Sequence, residues 1–212
     1  MIKKISLTLT IMTLSSGQAF ADDLRTSPWL ARMRAIDVAP SASSSTITGL
    51  GGHVDEISND IVPEVDISYF FTQQVAAEII LGTTKNDVSA TGTSIGTVNL
   101  GSVQLIPATV TLQYHFLPDK IVNPYVGAGV NYTYFYGVDS GSTASSINYS
   151  NSFGSAFQVG ADIAINKHWL INVDVKKIFM QTCAHVNVGA DTYTSTVDIN
   201  PMVYGIGLGY RF

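Results

Sequence analysis

The chain is predicted to be all-β: an eight-stranded antiparallel transmembrane barrel with four long extracellular loops and three short periplasmic turns. Three observations carry this. First, hydrophobicity alternates with period two along eight segments of about ten residues, the pleat of a half-buried strand and the length that crosses a bilayer at a tilt. Second, the large apolar side chains share one face while glycine, hydroxyl, amide and charged residues share the other. A soluble barrel such as a lipocalin points its apolar face inward, so large residues facing outward imply lipid outside. Third, charged residues are 13% of the chain against 46% hydrophobic, where about a quarter charged is usual for a soluble domain. Beyond the N-terminus no run approaches the twenty or so apolar residues of a membrane helix. A membrane-spanning chain without such a helix must close its backbone hydrogen bonds as a barrel.

The first segment precedes the barrel. Lys3 and Lys4, the apolar run Ile5 to Leu14 and the small-residue site Ala19-Phe20-Ala21 have the form of a secretory signal peptide. Residues 1–21 are therefore expected to be removed, leaving residues 22–212 as one barrel domain. Loss of two lysines takes the net charge from −5 to about −7 with no basic cluster, which excludes nucleic acid as a partner. With Cys183 alone no internal disulfide forms, so stability must come from sheet closure and burial.

The strands follow in order. The first, Trp29 to Val38, sets Trp29, Ala31, Met33 and Ala35 outward and Arg32, Arg34 and Ile36 inward. The second alternates Ile61, Pro63, Val65, Ile67, Tyr69 and Phe71 against Glu64, Asp66 and Ser68. Only Thr72, Gln73 and Gln74 separate it from the third, where Val75, Ala77, Ile79 and Leu81 oppose Ala76, Glu78, Ile80 and Gly82, so the two form a hairpin. The fourth faces Ile106, Ala108, Val110, Leu112, Tyr114 and Phe116 outward and Thr109, Thr111, Gln113 and His115 inward. After a turn at Leu117-Pro118-Asp119, the fifth places Val126, Ala128, Val130, Tyr132 and Tyr134 opposite Gly127, Gly129, Asn131 and Thr133. The sixth alternates Phe157, Val159, Ala161 and Ile163 against Gln158, Gly160 and Asp162. Through Asn166-Lys167-His168 it reaches the seventh, where Trp169, Ile171, Val173 and Val175 oppose Asn172, Asp174 and Lys176. The closing strand sets Met202, Tyr204, Ile206, Leu208, Tyr210 and Phe212 against Val203, Gly205, Gly207, Gly209 and Arg211.

The connections alternate long and short. Pro40 to Asp60, Asn86 to Leu105, Gly137 to Ser152 and Phe179 to Asp198 are polar and read as loops, so both termini belong to the short-turn, periplasmic side. Tyr69, Phe71, Tyr114, Phe116, Trp169, Tyr210 and Phe212 fall at the turn ends of their strands, where an aromatic girdle belongs. Lys177 is a cation on the outward face, but it lies at a loop end, from which its ammonium reaches the headgroups. The final aromatics, Tyr210 and Phe212, resemble the C-terminal signal by which outer-membrane barrels are recognised for assembly.

The lumen carries the chemistry. Arg32, Arg34, Lys176 and Arg211 face Glu64, Asp66, Glu78, Asp162 and Asp174 there. Side chains fill an eight-stranded barrel, so these charges are expected to pair into a polar plug with no open water channel. A catalytic carboxylate pair is the weaker reading, because structural networks perturb acidity as well. No Ser, His and Asp stretch argues for an enzyme. Cys183-Ala184-His185 leaves a tetrahedral metal site unfinished, so neither metal nor cofactor is expected.

Seven stretches in order resemble the OmpW family of small outer-membrane barrels, with its AlkL-type members, across almost the whole mature chain. They are Trp29-x-x-Arg32-x-Arg34, PEVDISYFFT from Pro63, AAEIILGT from Ala76, PATVTLQYHF from Pro107, NPYVGAGVNYT from Asn123, SFGSAFQVGAD from Ser152 and NPMVYGIGLGYRF from Asn200. The resemblance implies a monomeric barrel in the outer membrane of a Gram-negative bacterium. Its partners would be outer-membrane lipid, lipopolysaccharide, the barrel assembly machinery and small hydrophobic solutes. These solutes would pass through a loop-side hydrophobic pocket, closed toward the periplasm, and leave sideways into the bilayer. By similarity the pocket floor and gate would be Ile80 and Phe153, the latter where many relatives carry Trp. The competing reading is a structural or adhesion barrel whose loops contact host surfaces or immune proteins over an inert lumen.

Overall fold

The computed structural model describes residues 27–41, 43–44, 53–93, 96–140, 146–188 and 191–212. The expected signal peptide lies outside them. The strands are β1 (Trp29–Ala39), β2 (Ser43–Ser44), β3 (His53–Ile57), β4 (Asp60–Phe70), β5 (Val75–Gly82), β6 (Thr84–Thr93) and β7 (Gly96–His115). They continue as β8 (Val122–Ser140), β9 (Ser146–Tyr149), β10 (Ser152–Ala164), β11 (Trp169–Phe179), β12 (Gln181–Val188), β13 (Asp191–Asp198) and β14 (Met202–Arg211). Antiparallel ladders join β1 to β4, β4 to β5, β5 to β7, β7 to β8, β8 to β10, β10 to β11, β11 to β14 and β14 back to β1. The eight-stranded barrel is closed.

Side-chain facing follows the expected parity. Along β1, Leu30, Arg32, Arg34 and Ile36 are buried while Met33 is 63% exposed. Turn chemistry fixes this register: Thr72 Oγ1 accepts from the backbone N–H groups of Gln74 and Val75, and Asn166 Oδ1 from those of His168 and Trp169. Some of the inward glycines answer a close backbone approach. A Cβ at Gly207 would lie 2.1 Å from the Met33 carbonyl oxygen, and one at Gly129 would lie 1.9 Å from that of Val110. At these positions the neighbouring strand itself fills the space.

The four expected loops are corrected. Residues 86–93 belong to β6 and 96–105 to β7, β8 continues to Ser140, and a second sheet in the order β2-β13-β12-β9 occupies much of the rest. Their polarity misled the reading because the face chemistry inverts above the membrane. In β6 the buried set is Thr84, Asn86 and Val88, and the exposed set includes Lys85 and Asp87. Water surrounds this part, so the polar residues face outward as in a soluble barrel.

The exposed aromatics form two levels. The turn-side girdle contains Trp29, Tyr69, Tyr114, Trp169, Tyr210 and Phe212, with edge-on contacts such as Trp29 to Tyr69 at 4.8 Å and Trp169 to Tyr210 at 5.0 Å. The upper level contains Tyr132, Tyr134, Phe153, Phe157, Phe179 and Tyr204. Trp169 and Phe179 end the same strand, about 33 Å apart at about 3.3 Å per residue. At a tilt near 40° this gives roughly the 25 Å apolar band of an outer-membrane barrel. Lys177 sits at the upper level, donating to the Asn200 carbonyl with its ammonium 5.8 Å from the Phe179 ring.

Candidate functional site

The lumen is divided into two compartments at one level. Going up β1, the inward series runs Arg32, Arg34, then Ile36 and Val38. Going up β11, it runs Asn172, Asp174, Lys176, then Ile178. Each strand crosses from ionic to apolar within one inward step.

Below the boundary lies a buried ion network. Arg32 holds Asp162 with two bonds, Nε to Oδ1 at 3.2 Å and Nη2 to Oδ2 at 3.0 Å. Its Nη1 reaches Asp66 at 2.9 Å, Glu78 at 3.2 Å and Ser68 at 2.8 Å. Arg34 pairs with Asp66 at 2.7 Å, Glu64 at 2.9 Å and Glu78 at 3.2 Å. Lys176 pairs with Glu64 at 2.7 Å and Asp174 at 3.1 Å. The second oxygen of Glu78 accepts from Gln113, Gln158 and Thr111. Charge-assisted bonds on both carboxylate oxygens fix Glu78 in the middle of the lumen. Arg211 stands apart at the turn end, its guanidinium 4.8 Å from the Phe70 ring. All eight residues expected in the plug are therefore buried inside the barrel, seven of them joined in this network. Tyr125 joins them: its hydroxyl donates to Asp174 at 2.9 Å and accepts from Asn172 at 3.1 Å. Its parity with Gly127 was the available signal for that inward position.

Above the boundary is an apolar cavity of about 70 Å³. Its walls are continuous two-residue series: Ile36, Val38 and Pro40; Val103, Leu105, Pro107 and Thr109; Ile178, Met180, Thr182 and Ala184; Val197, Ile199, Pro201 and Val203. Phe135 and Tyr149 stack at 5.8 Å between centroids beside them, and burial pushes the Tyr149 hydroxyl up to about 12. The cavity's polar boundary is Glu64 and Lys176 with Thr109, while Thr84 and Asn86 lie along the wall opposite Leu105 and Val103. Most of these wall residues lie in or beside the segments read as loops. The signal that locates them is the alternation that persists from each strand into its extension.

The pair expected at the pocket floor and gate does not come together. Phe153 is 72% exposed and opposes outward Tyr132, so it belongs to the upper aromatic level. Its parity with Phe157 and Val159 dictates this. Ile80 is inward and buried, but it opposes Asp66 and Thr109 at the ionic level and is not part of the cavity wall.

Residues 27–212 match the model of the OmpW family. An outer-membrane protein of Sinorhizobium fredii, y4mB, is 41% identical over 88% of this chain and 80% of its own. The dibenzothiophene metabolism operon protein PahQ of Pseudomonas aeruginosa is 31% identical over 88% of this chain and 89% of its own. The crystal structure of the outer membrane protein OprG from Pseudomonas aeruginosa superposes with a TM-score of 0.80 at 28% identity, covering 87% of this chain and 95% of that one. With this match over nearly all of the barrel, the chain belongs to the OmpW family and is an eight-stranded barrel of the Gram-negative outer membrane.

Proposed function

We propose that this barrel passes small hydrophobic molecules inward across the outer membrane, taking them into the upper cavity and releasing them sideways into the bilayer. The observation that carries this is the boundary in the lumen: an apolar cavity ends on an ion-paired layer. An apolar solute gains by entering the cavity and loses by entering the layer, so its favourable way out is the hydrocarbon outside the wall. The wall's ladder is interrupted beside the cavity floor. The ladder between β4 and β5 ends at Glu64 and Gly82, and that between β3 and β6 resumes at Ile57 and Val88. In between, one backbone bond remains, from Ser58 N–H to the Asp87 carbonyl, and side chains serve as the other acceptors: Asp60 accepts from Lys85 N–H and Ser58 Oγ from Asp87 N–H. Pro63 in the same stretch has no N–H to donate. The relative named for dibenzothiophene metabolism adds an apolar compound class to this reading.

In this reading the cavity end is extracellular and both termini are periplasmic. A monomer sits among outer-membrane lipid and lipopolysaccharide, with Tyr210 and Phe212 read by the assembly machinery. The test is uptake of apolar and polar solutes into liposomes carrying the refolded barrel, against empty liposomes. A rate gain confined to apolar solutes is expected. Absence of any gain, with the barrel verified as folded, would transfer the function to extracellular contacts of the strand extensions.

A further inference from the structure

We infer that the cavity selects amphiphiles bearing one hydroxyl, such as medium-chain alcohols, and holds them with the hydroxyl on the ionic floor and the chain upward. This rests on the conduit reading and narrows its solute class. Away from the floor the cavity's polar groups already bond within the protein: Asn86 donates to the Ser58 carbonyl and accepts from the Thr84 hydroxyl, and Thr182 donates to the Ser150 carbonyl. Glu64 and Thr109 lie at the floor, whereas Val103, Phe135 and Val197 line the upper part. Glu64 takes Lys176 and Arg34 through the same oxygen, Oε1, and no hydrogen bond reaches its Oε2 among the described residues. Thr109 Oγ1 accepts from Asn131 Nδ2 at 2.8 Å, and its own proton has no acceptor among the described residues. The floor thus combines an ionised acceptor with a hydroxyl donor. An alcohol satisfies both, giving its proton to Glu64 and accepting from Thr109. An alkane leaves both groups unpaired, and a carboxylate sets a second negative charge against Glu64.

The experiment uses the full barrel in lipid nanodiscs with three probes of equal chain length: 1-decanol, n-decane and decanoate. Binding is corrected for partition into empty nanodiscs. Carbon-13 at C1 and at the terminal methyl reports orientation by magnetisation transfer to protein side chains. The expected result is roughly tenfold tighter binding of decanol than of either other probe. C1 should contact Thr109, and the terminal methyl should contact Phe135 or Val197. Thr109→Val, nearly identical in shape, should reduce that preference at least threefold, because decanol loses its donor and n-decane no longer leaves one unpaired. Equal binding of decanol and decane, or a terminal methyl at Thr109, overturns this inference and leaves the conduit standing. Failure of all three probes to enter the cavity overturns both.

Discussion

At the scale of single residues, parity decides role, and two substitutions separate the wall from the gate. Phe153 faces outward among the upper aromatics, so Phe153→Ala should leave apolar uptake within about twofold of the wild type. Val103 is buried in the cavity wall. Val103→Trp should cut uptake at least fivefold, because the added ring fills space the solute needs, while overpacking costs about 1–3 kcal/mol of stability. A loss of uptake in Phe153→Ala equal to that in Val103→Trp would return the gate to Phe153. The plug residues were legible for the same reason: an arginine alternating with apolar neighbours, as Arg32 and Arg34 do, has one face on which to be buried. Arg34 is 1% exposed and pairs with four carboxylates, most closely Glu64, Asp66 and Glu78. Arg34→Met should therefore destabilise the barrel by about 3–5 kcal/mol, since Glu64, Asp66 and Glu78 lose a shared cation. Urea unfolding in lipid vesicles measures it, and a change below about 1 kcal/mol would show that Arg32 and Lys176 compensate.

At the scale of the strand, the membrane-spanning halves were readable and their extensions were not. Composition hid the extensions. Residues such as Lys85, Asp87 and Gln181 suggest loops, although Ile178, Met180 and Ala184 keep the inward period beneath them. The outward face changes from lipid to water within one strand, so no single hydrophobic pattern describes β7 or β8 along its length. Glycine placement, in contrast, was visible as a pattern without its cause. The run Gly205, Gly207 and Gly209 reads as a small-residue face; at Gly207 it accommodates the backbone of β1, whose Met33 carbonyl crowds it, and at Gly205 and Gly209 the side chains of Ile36, Arg34, Leu170 and Arg32. Gly207→Val should therefore block closure of the ladder between β1 and β14, with recovery of folded barrel falling at least tenfold. Folded yield is read as the heat-modifiable band after refolding. Gly82→Ala is the control, because a Cβ there meets nothing nearer than 3.9 Å. Equal yields from both variants would remove the steric account of the closing strand.

At the scale of the whole molecule, the barrel is two stacked solvents in one wall, and the ionic layer separates what each excludes. In the proposed reading ions are stopped because Arg32, Arg34 and Lys176 pair with the carboxylates that would attract them, in a lumen that side chains fill. Apolar solutes are stopped by the same layer for the opposite reason, since it offers them no burial. If solutes leave sideways above the layer, damage to the layer should change ion conduction and apolar uptake independently. Glu78 is the suitable position. It lies at the centre of the network and does not line the cavity, and both its oxygens are occupied by donors from five other side chains. Glu78→Ala removes the common acceptor and should let water enter between Arg32, Arg34 and Gln113. Potassium conductance in planar bilayers should rise at least fivefold over the wild type, with liposome uptake of apolar solutes unchanged within about twofold. A parallel rise in both would mean that solutes take the axial route through the layer, and the sideways exit beside Asp60 and Lys85 would have to be abandoned.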